Sequence, residues 1–483
     1  MILGQYWKLH DDDTLRRLDD AAIRLLAKSG CRINHEGLLA MLEGAGCRIV
    51  RSESRCYFPE SLVREAVAHL GGKTSEQVAI PTGWNPQHHL VHLGSNPHLL
   101  EWPSAERRLA TKEDIAKMAK MAHVLDHFTC VGRVLTCAEV DHRIEPLWTT
   151  LRLAEITDKP IGGGEVFHAH HIEPLVRMGE VLTGIPNDTS LIAACDFFTA
   201  PLTFDRAQAE CFLTKRHFGL PNYPGTMPIS GLSAPVTIAG AVAVAVAELL
   251  AGWVMGYVVN PDLPAGGIVA SGSLDMRSAS ACFGSPEALL QDVAVVQLCR
   301  RLYGISVDAA TGYVDCKVPG LDAVFQKMFP LVAGPFGVLR GLPCDGLLSA
   351  GQDYSPVQQL LEAEVQAAIS RFWGGFAVSD DTIAAELIEQ VCAGQLGDFL
   401  NTDHTLRHFR GEQWYPEWFE RGLWRGAEIE ADSDRRLLER IAAEVKSAIE
   451  RYQPPDLDQS KLTELRRIYA AAERALVGVG SGG

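Results

Sequence analysis

The sequence predicts an α/β fold of the (β/α)8 barrel class, extended by helices on its N-terminal side and followed by helices on its C-terminal side. Three observations predict it. Strand-like and helix-like segments alternate from about residue 128 onward. The candidate strands, at 128–136, 159–165, 190–197, 221–228, 266–272, 304–312, 334–340 and 374–378, number eight. The flanks, 12–70 and the stretch after Asp380, carry apolar residues at helical spacing instead. The expected organisation is an N-terminal helical region over 1–77, the barrel over 78–410, and a C-terminal helical segment with a flexible tail over 411–483.

In chain order, Leu15, Leu18, Ala22, Leu25 and Leu26 recur at helical spacing, and Gly30 ends that helix. A second helix is expected over 33–46 with Asn34 as its cap. Residues 48–50 and 56–58 read as short strands, and Pro59 opens a third helix. Residues 78–109, rich in Pro, Gly and His, read as irregular strands and loops. Thr111 caps the next helix, with Asp114 three residues on as a variant capping box. At the centre, Pro224-Gly-Thr-Met-Pro228 leaves a strand and Ser230, Gly231, Ser233 and Pro235 make a tight small-residue loop. An Ala- and Val-rich helix follows, capped by Ser233 or Thr237. Such a loop lets backbone approach a ligand closely. The apolar run 238–250 is shorter than the roughly 20 residues that cross a bilayer, so it reads as a buried helix and no membrane segment is expected. Past Asp380 helices are expected at 383–393, 405–409, 432–452 and 462–476.

Composition narrows the function. A hydrophobic content of 47% with 22% charged residues suits a folded enzyme. A net charge of −16 argues against a nucleic-acid partner, which wants a basic face. The opening Met1-Ile-Leu-Gly-Gln-Tyr-Trp-Lys8 lacks the basic stretch and apolar run of a signal peptide, so the expected compartment is cytoplasmic. The 12 cysteines form no Cys-x-x-Cys pair and read as buried thiols, and no zinc-ligand spacing is found. No metal is expected; His168-Ala-His-His171 reads as a helix start with exposed histidines.

Gly231-Leu-Ser-Ala-Pro-Val-Thr-Ile-Ala-Gly240, followed by Ala247-Glu-Leu-Leu-Ala-Gly252, resembles the signature of the trimethylamine methyltransferase superfamily. More narrowly, it resembles the branch without pyrrolysine that contains the glycine betaine methyltransferases. The similarity extends from about Leu15 to about Phe419. It includes Ser29-Gly-Cys-Arg-Ile33, Phe58-Pro-Glu-Ser-Leu-Val63, Arg107-Arg-Leu-Ala-Thr111, Leu274-Asp-Met-Arg-Ser-Ala-Ser280, Phe283-Gly-Ser-Pro-Glu287, Val314-Asp-Cys-Lys-Val-Pro319 and the closing helix Thr402–Arg410. Phe198-Thr-Ala-Pro-Leu202 stands where the family has Ser-Pro-Leu. Two stretches depart from the family: 332–346 lacks its polar, His-bearing pattern, and Gly320-Leu-Asp322 replaces Asp-x-Gln. The resemblance implies the barrel and methyl transfer from a methylamine or betaine to the cobalt of a corrinoid (cobalamin) supplied by a partner protein. No cofactor is then bound directly. A homo-oligomer is expected, and pyrrolysine-dependent handling of trimethylamine is not.

Active sites of such barrels lie at the C-terminal ends of the strands. The candidate catalytic carboxylates there are Asp315, Asp196 and Glu165. A quaternary ammonium leaves as a neutral amine once its methyl is taken, so no general acid is needed. The protein must hold the cation, aim one methyl and exclude water. Aromatic faces suit the cation, and Phe197, Phe198, Tyr223, Phe283 and Tyr313 are the candidates. Ser230, Ser233 and Arg277 are the candidates for a betaine carboxylate. Each has a plainer alternative: the aromatics as core packing, Asp315 as a cap, Asp275 paired with Arg277. Two other functions fit the same pattern, a quaternary-amine-binding barrel without methyl transfer, and a lyase or hydrolase using Asp315 or Glu165 as base.

Overall fold

The computed structural model describes residues 8–71, 96–310, 312–330, 345–373, 375–427 and 431–478. Helix α1 (Asp12–Lys28) starts at Asp11, whose carboxylate accepts the N–H of Thr14, and buries Leu15, Ala22, Ile23 and Leu26. Gly30, at φ +65°, turns the chain into β1 (Cys31–Ile33). Helix α2 (Glu36–Gly44) begins later than the sequence suggests. The cap is His35, whose Nδ1 accepts the Leu38 N–H, and not Asn34. Ile33 is held in β1 by pairing with Phe204. Strands β2 (Arg48–Val50) and β3 (Arg55–Tyr57) complete an antiparallel sheet with β1, and α3 (Glu60–Gly71) follows.

After residues 72–95, which lie outside the described set with most of the Pro- and His-rich stretch, β4 (His98–Leu100) and β5 (Arg107–Leu109) form a hairpin. Helix α4 (Lys112–Val124) carries the expected capping box between Thr111 and Asp114. Helices α5 (Glu145–Ala154) and α6 (Ile172–Thr183), strands β6 (Cys195–Phe197) and β7 (Thr203–Phe204), and α7 (Arg206–His217) lead to β8 (Tyr223–Thr226) and β9 (Ile229–Ser230). Then come α8 (Ile238–Val259), β10 (Ile268–Val269), β11 (Gly272–Asp275), β12 (Ser280–Cys282), α9 (Pro286–Leu298), β13 (Asp308–Ala309) and α10 (Leu321–Met328). The chain closes with β14 (Leu347–Leu348), β15 (Asp353–Tyr354), α11 (Pro356–Trp373), α12 (Asp380–Ile383), α13 (Ala385–Cys392), α14 (Asp403–Glu412), α15 (Ser433–Arg451) and α16 (Gln459–Leu476).

Among the described residues the architecture is mixed α/β with four small sheets. A run of parallel pairings joins two of them: β15 with β4, Asn96 with Leu135, Val131 with Ile161, Gly164 with Ile192, then β6, β8, β10 and β13 side by side. The first six expected strand regions all contribute to this run. The seventh, 334–340, lies outside the described residues, as does most of the divergent stretch 332–346. The eighth is misplaced: α11 runs to Trp373 and nothing described over 375–378 is a strand, the parallel partner of β4 being Asp353–Tyr354 instead. The competing signal was the apolar Phe376-Ala-Val378, which is exposed.

Helix α8 is the centre of the largest core. It has 22 residues, long and apolar enough to cross a membrane by composition, and 83% of its most apolar 18-residue window is buried inside the protein. It continues nine residues past the expected end at Leu250, through Trp253, Val254 and Met255, all fully buried. Small residues let it approach β8: a Cβ on Gly252 would sit 2.4 Å from Pro224, and one on Gly256 1.8 Å from the Asn222 side chain. Thr237 occupies its cap position without a side-chain hydrogen bond, and the Ser233 hydroxyl accepts the Ile229 N–H instead of capping. The helix carries one charge, Glu248, fully buried. Its carboxylate accepts the Leu202 N–H at 2.8 Å and the Thr226 hydroxyl at 2.5 Å, and burial pushes it up to about 7.

Candidate functional site

Alternation along the parallel strands sorts side chains onto two faces. Asp196 and Phe198 of the β6 segment, Thr226 on β8 and Val269 on β10 turn toward the helices. Asp196 is buried and holds both Lys215, at 2.9 Å, and Arg216 on α7. Phe198 packs on Phe204, ring centroids 4.9 Å apart, inside the α8 core. These two expected site residues therefore face the helix layer. Phe197 and Tyr223 face the other way. The Phe197 ring lies over Gly225 and the Tyr223 ring over Gly266, where an added Cβ would come within 2.7 Å and 2.5 Å of them. The Tyr223 hydroxyl donates to Asp308 of β13.

Glu165 and Tyr313 lie close enough to interact, together with Cys195 of β6. Burial raises the Glu165 carboxyl, partly offset by Lys215 and Arg133. Burial and the Glu165 charge push the Tyr313 phenol upward. Arg133, 4% exposed, donates through Nη2 to the Glu165 carbonyl at 3.0 Å, and Gly164 leaves the room its guanidinium needs.

Tyr313 pairs with Phe283, ring centroids 5.5 Å apart. Asp315 holds Phe283 in place: its two oxygens accept the N–H groups of Phe283, at 2.8 Å, and Gly284, at 3.1 Å, while its own N–H donates to Gln326 at 2.7 Å. The rings border a narrow cleft of about 20 Å³, lined also by Ser285, Asp292, Gln326 and Phe329. Asp292 was not foreseen. It is 5% exposed on α9, accepts the Ser271 N–H at 2.9 Å, and burial pushes it up to about 8. The available signal was a lone acid inside the apolar run Ala288–Leu298, the same pattern that marks Glu248.

Ser230 is buried between β9 and β11, its hydroxyl 3.4 Å from the Gly272 carbonyl. Arg277 is exposed on the β11–β12 turn, where Asp275 accepts from its backbone at 2.9 Å and its side chain at 3.3 Å. The rings of His168, His170 and His171 contact one another, with His171 bonded to the Arg143 carbonyl at 2.8 Å. Among the described residues, no group of three or more His, Cys, Asp or Glu is placed to hold a metal.

An aromatic pair in one cleft with a buried carboxylate has the chemistry that suits an organic cation. The sequence profile described as trimethylamine methyltransferase (MTTB) matches residues 4–477. The chain belongs to this family. It is a methyltransferase. The trimethylamine methyltransferase MttB of Desulfitobacterium hafniense is 23% identical over 480 residues, covering 96% of this chain and 93% of that protein. The glycine betaine methyltransferase of the same species is 23% identical over 462 residues, covering 92% and 93%. MttB2 of Methanosarcina mazei is 23% identical over 499 residues, covering 98% and 96%.

Proposed function

We propose that this MTTB-family chain takes a methyl group from a quaternary amine of the betaine type and delivers it to the cobalt of a corrinoid carried by a partner protein, in the cytoplasm. The observation that carries the reading is the Phe283–Tyr313 pair with Asp292 in one cleft. The aromatic faces hold the cation, each good contact contributing about 0.5–2 kcal/mol. Asp292 supplies the counter-charge, and Asp315 positions Phe283. Tyr223 and Phe197 line the same side of the strands, and Glu165 lies close enough to Tyr313 to interact with it. The leaving amine is neutral, so none of these carboxylates must give a proton.

The run of parallel pairings supports the closed eight-stranded barrel, with 1–77 and 411–483 as flanking regions and the cleft at the strand exits. When docked, the reduced cobalt supplies the nucleophile. The chain's own residues fit such a visitor: Leu232, Val236, Met276, Leu321 and Phe325 are exposed on segments that follow β9, β11 and β13. They form an apolar rim that excludes water once covered.

The test is loss of cobalt(I) absorbance on mixing the protein with reduced cobalamin or a corrinoid carrier and, in turn, glycine betaine, proline betaine and carnitine. Methyl-cobalt is expected with at least one. Its absence with every methylated amine tried overturns the reading.

A further inference from the structure

The turn Ser349–Gly351 lies between β14 and β15, and all three of its residues have left-handed backbone, with φ at +52°, +56° and +79°. Only glycine takes that conformation freely, so Ser349 and Ala350 hold it at a cost. Their surroundings impose it. The Ser349 N–H donates to the Cys316 carbonyl at 2.8 Å, and the Ala350 N–H to the Val314 carbonyl at 2.7 Å. Leu348, just before the turn, packs in a small core with Val314, Cys316 and Ala323. The root of the hairpin is fixed as well. Glu362 on α11 accepts the N–H groups of Asp345 and Gly346, both at 2.9 Å, and the buried Lys327 on α10 pairs with Asp345 and Glu362.

This braced turn lies against Tyr313. A Cβ added to Gly351 would strike ring atom Cδ1 at 2.6 Å, and Cε1 closer still. The Tyr313 hydroxyl has no hydrogen-bond partner among the described residues. The ring is therefore placed by packing, with Gly351 as one neighbour and Phe283, 5.5 Å away between centroids, as another. A cation–π contact weakens as the ring withdraws or tilts, and in a narrow cleft a ring that advances closes the site.

Reversing the chain does not by itself require three left-handed residues in a row, since the common hairpin turns use one or two. Backbone strain held in place by its surroundings gathers where a ligand must be met. We infer that the turn Ser349–Gly351 is a positioning device for the cation site: it sets where the Tyr313 ring stands, and Gly351 is the residue that lets the ring stand far enough back. This role rests on the reading of Phe283 and Tyr313 as the pair that holds the cation.

Calorimetric titration of the full chain with tetramethylammonium tests this through the ring. Gly351→Ala should weaken binding by about 2- to 30-fold, the range of one cation–π contact. On a Tyr313→Ala background the same change should stay within about twofold, because no ring is left to displace. Gly219→Ala is the control for backbone strain. Gly219 has the same φ of +79° with nothing within 4 Å of an added Cβ, so this variant should lose stability yet bind like wild type. If Gly351→Ala does not fold, urea unfolding decides. Removing the ring in the double variant Gly351→Ala, Tyr313→Ala should restore folding; a double variant that stays unfolded while Tyr313→Ala alone folds would overturn the inference. So would a Gly351→Ala variant that binds like wild type, or an equal loss on both backgrounds. Those results leave wild-type binding and its dependence on Tyr313 intact. A wild type that binds no quaternary ammonium, or a Tyr313→Ala variant that binds as well as wild type, instead sinks the cation pair itself and the positioning role with it.

Discussion

Replacing Asp292 by asparagine tests the proposed cation site through its proton. In the empty protein the carboxyl is buried and pushed up to about 8, so it is largely protonated at neutral pH. A quaternary ammonium against Phe283 and Tyr313 favours the ionised form. At a separation of roughly 5 Å and an effective dielectric constant near 20, the attraction is about 3 kcal/mol, or roughly two pK units. Binding should therefore expel a proton between about pH 6 and 8, and affinity should rise toward tenfold per pH unit across that window. The amide of the Asp292→Asn variant carries no charge at any pH, so this variant should bind about 100-fold more weakly than wild type at pH 8, with a flat profile. Calorimetric titration with glycine betaine and tetramethylammonium, in two buffers of different ionisation enthalpy, counts the proton directly. The linked stability has the opposite slope. The folded value lies above the unfolded one, so this group's contribution is greatest in acid and is lost as pH rises from about 4 to 8. A wild-type affinity that stays level from pH 6 to 8, or a variant that binds like wild type at pH 8, would refute the reasoning.

Three further outcomes follow from the geometry. Phe283→Ala and Tyr313→Ala should each weaken tetramethylammonium binding by about 2- to 30-fold, the range of one cation–π contact, whereas Tyr313→Phe should leave it within about twofold; titration calorimetry reads both. Glu248→Ala strands the Leu202 N–H and the Thr226 hydroxyl and should cost about 2–5 kcal/mol in urea unfolding. Glu248→Gln should cost less and flatten the decline in stability between about pH 4.5 and 7, since the folded carboxyl lies above its unfolded value. Asp315→Ala frees the Phe283 and Gly284 amides, so KM for the amine should rise at least tenfold while kcat changes little, and steady-state kinetics at saturating corrinoid would show the split.

Several local outcomes were written in the sequence because they depend on near neighbours. The Thr111–Asp114 box, the Gly30 turn and the strand positions between 131 and 309 need only period, cap and turn chemistry. So did the membership in the methyltransferase family, carried by motifs spread along the chain. The facing of side chains was not legible in the same way. Asp196 and Phe197 are adjacent, yet one meets Lys215 and Arg216 while the other turns to the opposite face, because strand alternation acts only once the register is set. Asp292 looked like any acid on a helix until burial under Ser271 changed its proton affinity. Likewise, Phe376-Ala-Val378 has the composition of a strand, and only the end of α11 and the exposed chain beyond it place it on the surface. Local preference fixes what a segment can become; which partner desolvates each charge and each ring is decided by tertiary neighbours, about twenty positions away for Asp196 and Asp292.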